Sequence, residues 1–124
     1  MKTKKNQGPK NLEAKELILE LEKKGRKEKK GIWTAVAERL KKPRRKRIKM
    51  NLWKLGAMAK KFEGKTLLVP GKVLGSGEIG AKAKIAAFDF SQKAIDKISA
   101  KGKALSINEL LAEKEKPENI VIIG

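Results

Sequence analysis

Seven of the nine residues at 41–49, KKPRRKRIK, are basic and none is acidic. Like charges packed this closely repel one another unless an anion lies among them. A phosphate backbone, which accepts charge-assisted hydrogen bonds, fits such a run, and a nuclear-localisation-like or merely solvated stretch is the alternative. The chemistry in prospect is therefore binding, not bond-breaking. Arg44, Arg45 and Arg47 carry most of it, because a guanidinium fork matches phosphate oxygens better than an ammonium does. Lys41, Lys42, Lys46 and Lys49 add charge around them. A second group, Arg26, Lys27, Lys29 and Lys30, falls in a loop bracketed by Gly25 and Gly31, and a third, Lys72, Lys82 and Lys84, flanks a glycine-rich segment. Lys2, Lys4, Lys5 and Lys10 lie in MKTKKNQGPK, residues 1–10. That stretch buries too little apolar surface to offset chain entropy and reads as a mobile basic arm, either a frayed terminus or one that orders on nucleic acid.

The glycine-rich segment, Gly75-Ser76-Gly77-Glu78-Ile79-Gly80, matches the dinucleotide fingerprint G-x-G-x-x-G, and Asp96 lies downstream at a suitable distance for a ribose contact. The surroundings argue against a cofactor. The third glycine of the fingerprint opens a helix, whereas the residues after Gly80 alternate and end in an aromatic, as a strand does. Two readings stay open for these glycines: a loop that approaches a sugar-phosphate chain, or tight turns between strands. The chain has no His and no Cys. This removes the commonest general base, thiolate nucleophiles, disulfides and the usual metal ligands, so no catalytic residue, metal or cofactor is expected.

The charge balance agrees with binding. Lys and Arg number 32 against 14 Asp and Glu, a net charge of +18, and residues 1–50 alone carry 19 basic and 6 acidic side chains. A domain this basic is expected on a polyanion. A membrane surface is disfavoured by the lack of a long apolar run, and a small-molecule substrate by the lack of reactive groups. The absence of Cys suits an intracellular, cytoplasmic protein.

The elements that must position these cations follow from periodicity. At 124 residues and 40% hydrophobic content, a single domain is expected over residues 11–124, helical and basic at 11–62 and α/β at 63–124. Asn11 can cap a helix with Leu17, Ile18 and Leu21 on one stripe, stopping at Gly25. Trp33, Val36, Ala37 and Leu40 form the stripe of a second helix that ends before Pro43, with Trp33 in the core. Asn51 heads a third, with Leu52, Leu55, Ala59 and Phe62 inward; Trp53 beside that stripe is either a base-stacking surface or partly buried. Residues 66–69 are a short apolar strand that Pro70-Gly71 cuts off as a turn. From residue 83 the order is strand, helix, strand, helix, strand, with Ser91 capping the first of these helices and Ser106 and Glu109 forming a capping box on the next.

Certain phrases go further than composition. VPGKVLGSGEI, AAFDFS followed by SQKAIDKI, NLEAKELILELEKK, IWTAVAERLKKPRRKR, KMNL and the closing ENIVIIG together resemble the archaeal and eukaryotic large-subunit ribosomal protein eighteen family, related to bacterial large-subunit ribosomal protein fifteen. The resemblance covers nearly the whole chain. It implies an α/β fold with an irregular superhelical core of strand-strand-helix units, preceded by helices and a basic arm. It further implies a structural constituent of the large subunit on the ribosome, in contact with large-subunit ribosomal RNA and neighbouring ribosomal proteins. A DNA-compacting protein outside the ribosome is the alternative that the charge alone allows.

Overall fold

The structure, a computed structural model, describes residues 14–80, 82–113 and 116–123. The basic arm, with Lys2, Lys4, Lys5 and Lys10, and the Asn11 cap lie outside the described residues. Helix α1 (Ala14–Glu28) and α2 (Gly31–Leu40) form an antiparallel hairpin, followed by a 3-10 turn (Arg44–Lys46) and strand β1 (Lys49–Asn51). Then come α3 (Leu52–Lys61), β2 (Thr66–Leu74), β3 (Lys84–Phe90), α4 (Gln92–Ser99), β4 (Lys103–Ser106), α5 (Ile107–Ala112), a second 3-10 turn (Pro117–Asn119) and β5 (Ile120–Ile122). The five strands among the described residues pair in parallel, in the order β1-β2-β3-β4, with β5 also on β2. The expected α/β architecture is thus observed, and β2, β3 and α4 make one strand-strand-helix unit after the three leading helices.

A parallel sheet must be covered on both faces, and its strands accordingly read as apolar runs. One face, with Leu67, Val69, Val73, Ile85 and Ala87, packs on Leu52, Leu55 and Ala59 of α3 and on Ala94, Ile95 and Ile98 of α4. The other, with Leu68, Ala86, Leu105 and Ile120, packs on Leu17 and Leu21 of α1, Trp33, Val36 and Leu40 of α2, and Ile107 and Leu110 of α5. Trp33 is fully buried as expected, and its indole N–H donates to the Glu28 carboxylate at 3.2 Å. The Ser91 and Ser106 caps form, the latter as a complete capping box with Glu109.

Three local expectations are corrected. Pro70-Gly71 is not a turn: β2 runs through it. The pairing shows why. Val69 faces Ala87 but Lys72 faces Asp89, so β2 spends three residues where β3 spends two. A bulge tolerates a proline that cannot donate to the ladder. Here the far edge of β2 also changes partner, from β5 at residues 66–68 to β1 at 72–74. Gly71 lets the Ile48 carbonyl pass so close that a Cβ would overlap its oxygen and lie 2.9 Å from its carbon. Second, α1 does not stop at Gly25. That glycine is buried where α2 crosses, and a Cβ there would lie 2.6 Å from the Thr34 hydroxyl. The helix ends instead at Glu28, and Lys29 after it adopts φ 54°. Third, β1 has no counterpart in the sequence reading, being three residues long and embedded in the basic segment. Asn51 stands at the N-cap of α3, but its side chain makes no capping hydrogen bond.

Candidate nucleic-acid interface

The 41–49 segment is held against the body by part of its own charge. Arg47 turns back and donates from Nε and Nη2 to the Leu40 carbonyl, at 3.2 and 2.9 Å. Its guanidinium carbon sits 5.0 Å from the centre of the Phe88 ring. A terminal helix carbonyl and an aromatic face are both favourable for a cation. Arg47 therefore closes the loop between α2 and β1. Lys41 bridges the hairpin, pairing with Glu22 of α1 at 2.7 Å and with Glu38 at 3.3 Å. These hydrogen bonds hold the Lys41 ammonium above the ordinary lysine range and the Glu22 carboxyl below the ordinary glutamate range.

Lys42, Arg45, Lys46 and Lys49 remain exposed. Arg44 lies in the 3-10 turn with Arg45 and Lys46. Lys42, Lys46, Arg39 and Arg47 line an open cleft of about 440 Å³ together with Glu38, Ile48 and Pro70. Sequence reading misses Arg39, which sits on α2 and donates to the Ala35 carbonyl at 3.1 Å. The run is thus divided between cations that fasten it and cations that it presents.

Arg26 and Lys27 occupy the last turn of α1, where positive charge complements the helix dipole, and Lys29 and Lys30 form the tight turn into α2. All four are exposed. The sequence reading puts them on a loop; most of that loop is helix.

The 75–80 loop enters no helix, and β3 follows it, so the dinucleotide fingerprint is not realised. Two of its three glycines approach the protein's own helices. A Cβ at Gly75 would lie 2.7 Å from Lys93 Cβ on α4, and one at Gly77, where φ is +82°, 2.6 Å from Trp53 Cβ on α3. Lys97 of α4 donates to the carbonyls of Gly75 and Gly77 at 3.0 and 2.7 Å, stapling the loop down. The loop shares this corner with Trp53, whose backbone N–H donates to the Ser76 carbonyl and whose side chain is 61% exposed.

Lys72, Lys82 and Lys84 are not one group. Lys72 faces Asp89 across the sheet at 3.9 Å. Lys82 and Lys84 instead stand at the N-terminal ends of the strands, with Lys65, Lys101 and Lys103 around a cleft of about 330 Å³. The last three escape notice in the sequence because Lys65 arrives on one loop and Lys101 and Lys103 on another. Lys84 and Lys103 bind the two oxygens of Glu113, at 2.5 and 2.9 Å. These hydrogen bonds hold the Glu113 carboxyl below, and the Lys103 ammonium above, their ordinary ranges.

Among the described residues no group of His, Cys, Asp and Glu could hold a metal, and no helix is long and apolar enough to cross a membrane. Fold and surface define a small basic α/β protein that presents cations on a rigid frame. Residues 30–104 match the model of a family described as the ribosomal proteins L15 and L18e of the 50S subunit with a counterpart from the 60S subunit. The chain is 43% identical over 120 residues to the large ribosomal subunit protein eL18 of Methanopyrus kandleri, covering 94% of each. It is 42% identical over 108 residues to that of Methanothermobacter thermautotrophicus, covering 86% of this chain and 88% of the relative. To that of Archaeoglobus fulgidus it is 47% identical over 90 residues, covering 72% and 75%. The chain belongs to this ribosomal protein family, and as a member it is a structural component, not an enzyme.

Proposed function

We propose that the protein binds large-subunit ribosomal RNA through phosphate contacts, and that the 41–49 segment with the α1–α2 turn is its main contact surface. The observation that carries this is the division of labour within 41–49. Arg47 and Lys41 are spent on fixing the segment, so Lys42, Arg45, Lys46 and Lys49 are displayed from a fixed backbone. Cations held in place lose little freedom on meeting phosphates, and they lower the repulsion between RNA segments that pack together. Phosphate contacts position without reading sequence, so specificity comes from RNA shape. On the ribosome the surface would be shared with neighbouring large-subunit proteins, and the basic arm at 1–10 would add charge.

The test is binding to purified archaeal large-subunit ribosomal RNA across a salt series. Engagement of roughly 6–10 phosphates lowers affinity by about 10³–10⁵ between 50 and 200 mM salt. The combined variant Lys42→Ala, Arg45→Ala, Lys46→Ala should bind more weakly and lose about 2–3 units of salt slope with its melting temperature unchanged. Arg47 is excluded from this variant because its removal would loosen the loop itself. Salt-independent binding, or equal affinity for duplex DNA and folded RNA, would refute the assignment.

A further inference from the structure

Five lysines gather at the N-terminal ends of the strands, more cations than the carboxylates beside them balance among the described residues. Lys65 precedes β2, Lys82 and Lys84 lead into β3, and Lys101 and Lys103 lead into β4, so three loops far apart in sequence bring five ammonium groups to one cleft. The loops are welded where they meet. Lys103 N–H donates to the Ala83 carbonyl at 3.0 Å, and Gly102 packs so closely on Ala83 that a Cβ would lie 2.8 Å from its nitrogen. Convergence is therefore built into the backbone.

Against these cations stands the carboxylate of Glu113, which takes Lys84 and Lys103, and the Glu109 carboxylate acts on Lys103 from farther off. Lys65 donates to the Glu118 carbonyl at 2.9 Å. Lys82 and Lys101 have no partner among the described residues and are exposed. A cleft with surplus like charge is a site for an anion. Its lining has no large apolar side chain, only Ala83, Gly64 and Gly102 beside Thr66 and the lysines. A protein partner would need an apolar anchor to bind there with useful affinity; a sugar-phosphate chain does not.

We infer that this cleft is a second RNA-backbone site, in which phosphate oxygens bridge Lys82 and Lys101 and compete with Glu113 for Lys84 and Lys103. The inference rests on the proposed RNA-binding function. It adds a separate point of attachment. Thr66 borders the cleft and Lys72 is level with Lys49, and six residues of strand at roughly 3.3 Å each put about 20 Å between them. The two sites therefore hold separate stretches of backbone, and the sheet between them is a spacer of fixed length. Glu113 acts as an internal stand-in for phosphate, keeping two of the lysines oriented before RNA arrives.

This gives variants of opposite sign. In the full-length protein, Lys82→Ala with Lys101→Ala should weaken binding to large-subunit ribosomal RNA about tenfold or more at moderate salt and reduce the salt slope by about 1–2. Glu113→Gln, which removes the negative charge that Lys84 and Lys103 share, should tighten binding several-fold. Hydroxyl-radical footprinting should show one set of protected nucleotides lost in the double lysine variant while the set due to 41–49 persists. Thermal unfolding of the lysine variant should match the wild type, since neither side chain supports the fold. Unchanged affinity, slope and footprint in that variant, while the Lys42, Arg45, Lys46 variant is weakened, would overturn the cleft and leave the general function standing. Failure of the wild type to bind the RNA would overturn both. Loss of binding to polyglutamate with ribosomal RNA affinity retained would assign the cleft to an acidic protein instead and sink the inference.

Discussion

Gly71→Ala is a mild change on paper and should be among the most damaging single-methyl insertions in this chain. The added Cβ would overlap the Ile48 oxygen and lie 2.9 Å from both Ile48 C and Cγ2. Ile48 cannot simply step aside, because its carbonyl accepts from the Lys72 N–H at 3.0 Å and its neighbours begin β1. Relief requires β1 to move off the edge of β2. That forfeits the hydrogen bond, at about 0.5–1.5 kcal/mol, and most of the burial of Met50, worth roughly 1.5–3 kcal/mol when complete. The sum is about 2–4 kcal/mol. With an unfolding entropy of roughly 2.1 cal/mol/K per residue, the chain has about 0.26 kcal/mol/K, so the melting temperature should fall by roughly 8–15 °C.

The assay is thermal unfolding followed by circular dichroism, with Gly31→Ala as an internal control. Gly31 opens α2, and a methyl group added there would meet nothing within 4 Å, so alanine should raise stability by about 0.4–1 kcal/mol. If Gly71 stood in open space, as Gly31 does, the two alanine variants would behave alike. A Gly71→Ala melting temperature within about 3 °C of the wild type would refute the close approach of β1 to β2 and, with it, the anchoring of residues 41–49.

Two further outcomes follow from the same structure. The carboxyls of Glu22, Glu28 and Glu113 are held below the ordinary value of 4.5 by hydrogen bonds from Lys41, Lys24 and Lys84, with Trp33 also donating to Glu28 and Lys103 to Glu113. A depressed folded-state pKa contributes stability above the unfolded value and loses it as pH falls through the folded one. Lys41 and Lys103, raised above 10.5, contribute below that value and lose it at higher pH. Denaturant midpoints should therefore be flat between about pH 6 and 9 and decline below about pH 4.5. Glu113→Gln should flatten the acid limb, and an identical limb in that variant would exclude the Glu113 pairs as a contributor. Ser106→Ala should cost about 0.5–2 kcal/mol, because the hydroxyl that accepts from the Glu109 N–H is fully buried and the Glu109 side chain returns the contact. Chemical denaturation measures it, and a loss below about 0.3 kcal/mol would mean that α5 is held by packing alone.

What was legible in the sequence was local. Stripes at helical spacing in α2 and α3, the Ser91 cap, the Ser106–Glu109 box and the alternation of strands and helices after residue 83 involve residues within a turn or two of one another. What was not legible depends on a distant partner. A glycine looks the same whether it supplies a positive φ, as Gly64 and Gly80 do, or makes room for a neighbour, as Gly25, Gly71 and Gly102 do. The neighbours are Thr34, Ile48 and Ala83, and only the folded chain brings the last two close. Reading Gly25 and Gly71 as breakers thus misplaces the end of α1 and cuts β2 in half.

Charge has the same ambiguity. Counting basic residues finds the 41–49 run, yet counting cannot separate Arg47, turned back on Leu40 and Phe88, from Lys42, which faces solvent. It also passes over Lys65, Lys101 and Lys103, because each stands among uncharged or mixed neighbours in the sequence and meets the others only where the parallel strands begin. A parallel sheet aligns all its strand starts on one edge, so residues just before successive strands become neighbours however far apart they are in the chain. Cations placed there cost no run of like charge along the backbone, and their mutual repulsion arises only on folding. On the proposed reading, a phosphate chain would relieve that repulsion at the strand-start edge as much as at the obvious basic run.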